Sequence, residues 1–118
     1  MRVLLVDDEA DLASALSERL EMRGIQAEWV TTGQQALERA ATHTYDLAVL
    51  DVRMPKMGGL ELRDQLKALH PEMKFIFLTG YGSEKDFNQI ADQSGEACYL
   101  VKPIEIQELI RRMNELMT

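Results

Sequence analysis

A chain of 118 residues, 46% hydrophobic and 28% charged, supports one domain (1–118) around one core and leaves no room for a second. Its formal net charge of -7 argues against nucleic acid or an anionic membrane as a direct partner, since both require a basic face. With one cysteine (Cys98), no basic-then-apolar leader and no apolar run of membrane-spanning length, a soluble cytoplasmic protein is expected.

Val3-Leu4-Leu5-Val6 is an unbroken apolar run, the pattern of a strand buried on both faces, and Asp7-Asp8-Glu9 ends it. Leu12, Leu16 and Leu20 recur at four-residue spacing, which predicts a helix lying on a sheet, with Gly24 as its C′ residue. Ile25 to Val30 alternates apolar and polar, so it predicts an edge strand with one wet face. Thr32 with Gln35 makes a capping box for a second helix carrying Ala36, Leu37, Ala40 and Ala41.

Leu47-Ala48-Val49-Leu50 reads as a central strand, and Asp51 follows where that strand leaves the core. Met54-Pro55 stops the pairing, and Gly58-Gly59 relaxes the backbone before a third helix with Leu62, Leu66 and Leu69, which Pro71 blocks. Phe75-Ile76-Phe77-Leu78 is another continuous strand, ending at Thr79-Gly80. Ser83 with Asp86 starts a weaker fourth helix containing Phe87, Ile90 and Ala91; its polar Asn88, Gln89, Asp92 and Gln93 suit a solvated face or one that binds a partner. Tyr99-Leu100-Val101 is a short last strand ending at Lys102-Pro103, and Ile106, Leu109, Ile110 and Met113 share one face of a final helix.

Strand and helix thus alternate five times with short connections, the pattern of an α/β domain. Right-handed crossovers wind such a chain into a doubly wound parallel sheet, and with the alternating strand at one edge the economical order is 2-1-3-4-5. That order sets strands one and three side by side at the switch point, so their carboxyl ends bring Asp7, Asp8 and Asp51 together, flanked by Thr79 and Lys102. Close carboxylates repel by roughly 4 kcal/mol per pair at a surface-like dielectric, so a cation is expected among them. An all-oxygen, acid-rich donor set suits a hard ion, Mg²⁺ first. His43 and His70 fall near helix ends and read as surface residues. An ammonium, a hydroxyl and a metal together would surround a phosphoryl group, leaving a carboxylate to accept it.

Val3 to Glu9, Asp51 with Met54-Pro55 and Gly58-Gly59, Thr79-Gly80, and Tyr99-Leu100-Val101-Lys102-Pro103 together resemble the response-regulator receiver domain of two-component signalling. The resemblance spans essentially the whole chain and implies a single (βα)5 flavodoxin-like domain. It implies that Asp51 is the phosphoacceptor and takes a phosphoryl group from a histidine kinase or histidine phosphotransfer protein. Asp8 matches the direct Mg²⁺ ligand, Asp7 the ligand acting through water, and the backbone carbonyl of Arg53 a further protein ligand. Lys102 matches the phosphoryl-binding lysine, Thr79 the hydroxyl that moves onto the new phosphate, and Tyr99 the aromatic switch. Pro103 matches a proline preceded by a cis bond. The implied output is a change in the face made by the fourth helix, the last strand and the last helix. A downstream output domain or protein target reads that face, and a phosphorylation-dependent homodimer is a further implied partner.

The stretch Gly95-Glu96-Ala97-Cys98 departs from the family's usual pattern, and Cys98 reads there as a small buried hydrophobe. Two alternatives share the architecture. A magnesium-dependent aspartyl phosphatase usually needs an acid two residues after its nucleophile, where this chain has Arg53, so an enzyme turning over free substrate is not expected. A non-phosphorylated pseudo-receiver would have lost key positions that are all present here. Rossmann and P-loop nucleotide binders need glycines where the first turn has Asp-Asp-Glu.

Overall fold

A computed structural model describes residues 1–80 and 98–118, so the predicted fourth helix lies outside the described residues. Five parallel strands, β1 (Arg2–Val6), β2 (Gln26–Val30), β3 (Leu47–Asp51), β4 (Lys74–Thr79) and β5 (Cys98–Val101), pair in the order β2-β1-β3-β4-β5. Four helices accompany them among the described residues: α1 (Ala10–Glu21), α2 (Gly33–Thr42), α3 (Gly59–Leu69) and α4 (Ile106–Met117). No helix among the described residues is long and apolar enough to cross a membrane.

Successive strand side chains point to opposite faces, so each apolar run feeds two layers. Leu4, Val6, Ala48, Leu50, Phe75 and Phe77 pack with Ala36 and Ala40 of α2 and Leu62 and Leu66 of α3. Val3, Leu5, Leu47, Val49, Ile76 and Leu78 pack with Leu16 and Leu20 of α1 and Leu109 and Met113 of α4. Burying both faces of β1, β3 and β4 fixes their register, because a slip of one residue would exchange the two layers.

β2 is an edge strand, as its alternation predicts, and side chains guard it. The Ala27 N–H donates to Glu21 Oε1 at 2.8 Å and the Thr31 N–H to Gln35 Oε1 at 3.0 Å, while Ser17 Oγ donates to the Ala27 carbonyl at 3.2 Å. Backbone groups that β1 does not use are thereby satisfied from the flanking helices, which blunts the edge against strand addition.

Several local expectations shift. The capping box forms only in part: Thr32 Oγ1 accepts from the Gln35 N–H at 3.1 Å, but the Gln35 side chain reaches back to Thr31 instead of Thr32. Gly24 has φ 80 but stands one residue beyond C′, because Arg23 and Gly24 donate to Leu20 and Glu21 in a tighter turn after Met22 caps α1. Ala41 is exposed, since at 3.6 residues per turn it lies about 140° round the helix from Ala36. Leu69, the last residue of α3, is also exposed. Cys98 is half-buried against the α1–α4 layer. His43 is a surface residue, but His70 is not. It is half-buried, with Nε2 2.7 Å from the Ala40 carbonyl, and so joins the ends of α3 and α2.

The turn leaving β3 is held from beneath. The Gly59 N–H donates to the Val52 carbonyl at 3.0 Å, and a Cβ on Gly59 would run into the Asp51 carbonyl oxygen. Backbone cannot yield as a flexible side chain does, so this close approach requires glycine. Gly59→Ala is expected to destabilise the fold by about 1–3 kcal/mol despite alanine's better helix propensity. A urea midpoint equal to the wild type would show that the Asp51 turn moves aside freely.

Candidate functional site

Register brings the strand ends together. Val6 lies opposite Leu50, so Asp7 and Asp51 leave the sheet side by side. Thr79 lies opposite Val101, which places Lys102 just beyond it. Three backbone bonds carry the ladder past the strand ends: Asp7 N–H to Val30 O at 3.2 Å, Val52 N–H to Leu78 O at 3.0 Å, and Lys102 N–H to Thr79 O at 2.8 Å. The site residues are therefore set by the sheet before any side chain interacts.

Asp7, Asp51 and Thr79 are buried, at 2%, 5% and 1% exposure, whereas Asp8 is exposed. One carboxylate oxygen from each of Asp7, Asp8 and Asp51 lies within 4.8 Å of the others. Lys102 Nζ reaches into this cluster, 2.9 Å from Asp7 Oδ2, 3.1 Å from Glu9 Oε1 and 3.4 Å from Asp51 Oδ2. Asp51 Oδ1 accepts from the Arg53 N–H at 3.2 Å, and Asp7 Oδ1 from the Glu9 N–H at 2.9 Å. Thr79 Oγ1 donates to the Leu100 carbonyl at 3.5 Å, so its hydroxyl is turned toward β5. Tyr99 is half-buried against the α2–α3 layer, and the Lys102–Pro103 bond is cis.

Burial pushes the Asp51 carboxyl up to about 7, the Asp7 charge and the Asp8 carboxyl add to this, and Lys102 and the Arg53 N–H oppose it. Burial alone would lower the Lys102 ammonium, but the close approach of Asp7 and Glu9, with the charges of Asp51 and Asp7, holds it above its usual range. Lys102 is thus a fixed cation among acids.

The donor set also fits a divalent ion. All the acid ligands are oxygens, and Asp7 Oδ2 is buried without a hydrogen bond. Its 2.9 Å contact with Lys102 is an ion pair. A buried carboxylate oxygen in that condition is poised for a cation.

The model of the response regulator receiver domain matches residues 3–114. The chain belongs to the receiver-domain family of two-component response regulators. Such domains are generally not classical enzymes. The chain is 37% identical over 116 residues to the transcriptional regulatory protein CpxR of Escherichia coli, covering 98% of this chain and 49% of that protein. It is 34% identical over 117 residues to the response regulator MprA of Mycobacterium avium, covering 99% of this chain and 51% of that protein. The chain therefore spans about half the length of these curated relatives. A CheY-like receiver domain protein from Methanospirillum hungatei superposes with a TM-score of 0.86 at 30% identity, over 97% of this chain and 90% of that one. The Francisella response regulator 1452 receiver domain gives 0.82 at 31%, over 98% and 94%.

Of the residues singled out from sequence, the fold brings Asp7, Asp8, Asp51, Thr79 and Lys102 to one end of the sheet, with the Arg53 backbone beside them. Glu9 reads in the sequence only as part of a strand stop, yet its carboxylate contacts Lys102. An extra acid after the acidic pair is the available signal, but nothing in the spacing gives it a partner.

The raised Asp51 value makes a signed prediction for the metal-free protein. The folded state holds a proton on Asp51 that the unfolded chain, with an ordinary value of 3.8, has released. The Asp51 contribution is therefore fully present below about 3.8 and is lost as pH rises through about 7. In a chelator, Asp51→Asn should raise the melting temperature at about pH 8 and do so much less at about pH 5. An equal effect at both would mean that Asp51 does not titrate in this window.

Proposed function

We propose that residues 1–118 form one receiver domain of a two-component phosphorelay, with Asp51 as its phosphoacceptor. The observation that carries this reading is the buried Asp51 carboxylate standing 3.4 Å from Lys102 Nζ, inside a cluster with Asp7 and Asp8. An Asp51 carboxylate oxygen attacks the phosphorus of a phosphohistidine on a histidine kinase or histidine phosphotransfer protein. The P–N bond breaks and its electron pair returns to the leaving imidazole nitrogen.

Asp8 would hold Mg²⁺ directly and Asp7 through water, together with Asp51 and the backbone carbonyl of Arg53. When bound, Mg²⁺ supplies positive charge against the phosphoryl oxygens. Lys102 neutralises and orients the incoming group. Thr79 then exchanges its bond to the Leu100 carbonyl for one to the new phosphate, and Tyr99 follows it inward. Added charge and acceptor oxygens thereby shift the population of the face made by β5 and α4. A downstream output domain or protein target, or a second copy of the chain, reads that face in the cytoplasm. The chain turns over nothing but its own aspartyl phosphate.

Incubation with phosphoramidate and Mg²⁺ should add one phosphoryl group by intact-mass spectrometry, and Asp51→Asn should add none. An unchanged yield in that variant would place the nucleophile elsewhere. Amide chemical shifts should move on phosphorylation around Tyr99 as well as around Asp51. Changes confined to the Asp51 turn would remove the switch.

A further inference from the structure

Glu9 takes no part in the chemistry above, yet it is placed where the cation chemistry begins. It is the N-cap residue of α1, a position that favours Ser, Thr, Asp or Asn, and its side chain makes no capping hydrogen bond. Instead its Oε1 accepts from Lys102 Nζ at 3.1 Å, across 93 residues of chain. The helix forgoes its side-chain cap and the lysine gains a tether.

The tether decides where the ammonium sits. A lysine stem is long and flexible, so an ammonium that lies to one side of an acid cluster must be held there. Lys102 Nζ is 2.9 Å from Asp7 but 3.4 Å from Asp51, and Glu9 lies on the Asp7 side, two residues along the same loop. The oxygen approached most closely, Asp7 Oδ2, is the buried atom without a hydrogen bond that would receive a water carried by the ion. The ammonium and the ion's bound water thus contend for the same oxygen.

We propose that Glu9 is a positioning residue that latches Lys102 onto Asp7 in the metal-free protein, so that a divalent cation must displace the ammonium before it binds. The proposal rests on the reading of Asp7, Asp8 and Asp51 as the metal-binding residues. Glu9 delays loading by holding the competing cation in place, where it also donates to Asp51 Oδ2 at 3.4 Å.

Charge and contact are separable by substitution. Glu9→Asp keeps the negative charge but shortens the side chain by one methylene, so the carboxylate no longer reaches Lys102. The test is a Mn²⁺ titration by electron paramagnetic resonance on wild type, Glu9→Asp, Lys102→Met and the double variant, with folding checked by circular dichroism. Glu9→Asp should tighten Mn²⁺ binding about two- to fivefold, the scale of a partly exposed ion pair. In the Lys102→Met background the same substitution should change nothing, because the cycle isolates the pair. Equal affinities for wild type and Glu9→Asp would overturn the latch while leaving the metal site intact. A tightening that persists without Lys102 would also overturn it, since Glu9 would then act on the ion by itself. If the wild type binds no Mn²⁺, the metal-site reading fails and the latch with it.

Discussion

Asp7 and Asp51 are both almost fully buried, and the Lys102 ammonium within 3.4 Å of each is the compensation that lets them stay there. Leaving a buried carboxylate without its partner costs about 3–5 kcal/mol, which is a large share of what a domain of this size has to spare. The position of that ammonium is in turn a property of the sheet. Lys102 follows β5, β5 pairs with β4, and the Lys102 N–H bonds to the Thr79 carbonyl at 2.8 Å. The strand order is therefore an electrostatic requirement as well as a packing solution: the cation is supplied from one edge of the sheet, two strands away from β3, and the acids from its centre.

The compensation is incomplete, and the remainder has consequences. Asp51 remains pushed up to about 7, so burial outweighs the lysine's help in the metal-free protein. A carboxyl that holds a proton is a poor nucleophile. Under the proposed phosphoryl transfer, positive charge added beside Asp7 and Asp8 favours the ionised form of Asp51. Metal loading and the ionisation of Asp51 are then coupled through the field of the cluster.

The fold could be read from the chain because its strongest signals are periodic. Val3 to Val6, Leu47 to Leu50 and Phe75 to Leu78 are apolar without interruption, and strands covered on both faces accommodate such runs. The alternation in Ile25 to Val30 marked the edge for the same reason. The convergence of the candidate site was legible because Asp7, Asp51, Thr79 and Lys102 each stand at or just past a strand end, and parallel strands in one sheet deliver their ends to one place. Other features leave no such trace. The bond between His70 and Ala40 depends on where two helix ends meet, the need for glycine at 59 on a backbone crossing, and the Glu9 contact on one rotamer. None of these repeats along the sequence, so spacing carries no information about them.

β5 is where the charge chemistry and the packing meet. Within four consecutive residues, Lys102 contacts the acids, Leu100 offers its carbonyl to the Thr79 hydroxyl, and Tyr99 lies against the α2–α3 layer. Leu100 itself belongs to the opposite layer, with α1 and α4. Any event at Asp51 that draws Lys102 or Thr79 toward new oxygens therefore pulls on a strand whose side chains are divided between both layers. Among the described residues β5 is an edge strand, paired on one side by β4, so it can respond without breaking a central ladder. A buried strand such as β3, fixed on both sides, is suited to hold Asp51 still, and an edge strand is suited to respond to changes around it.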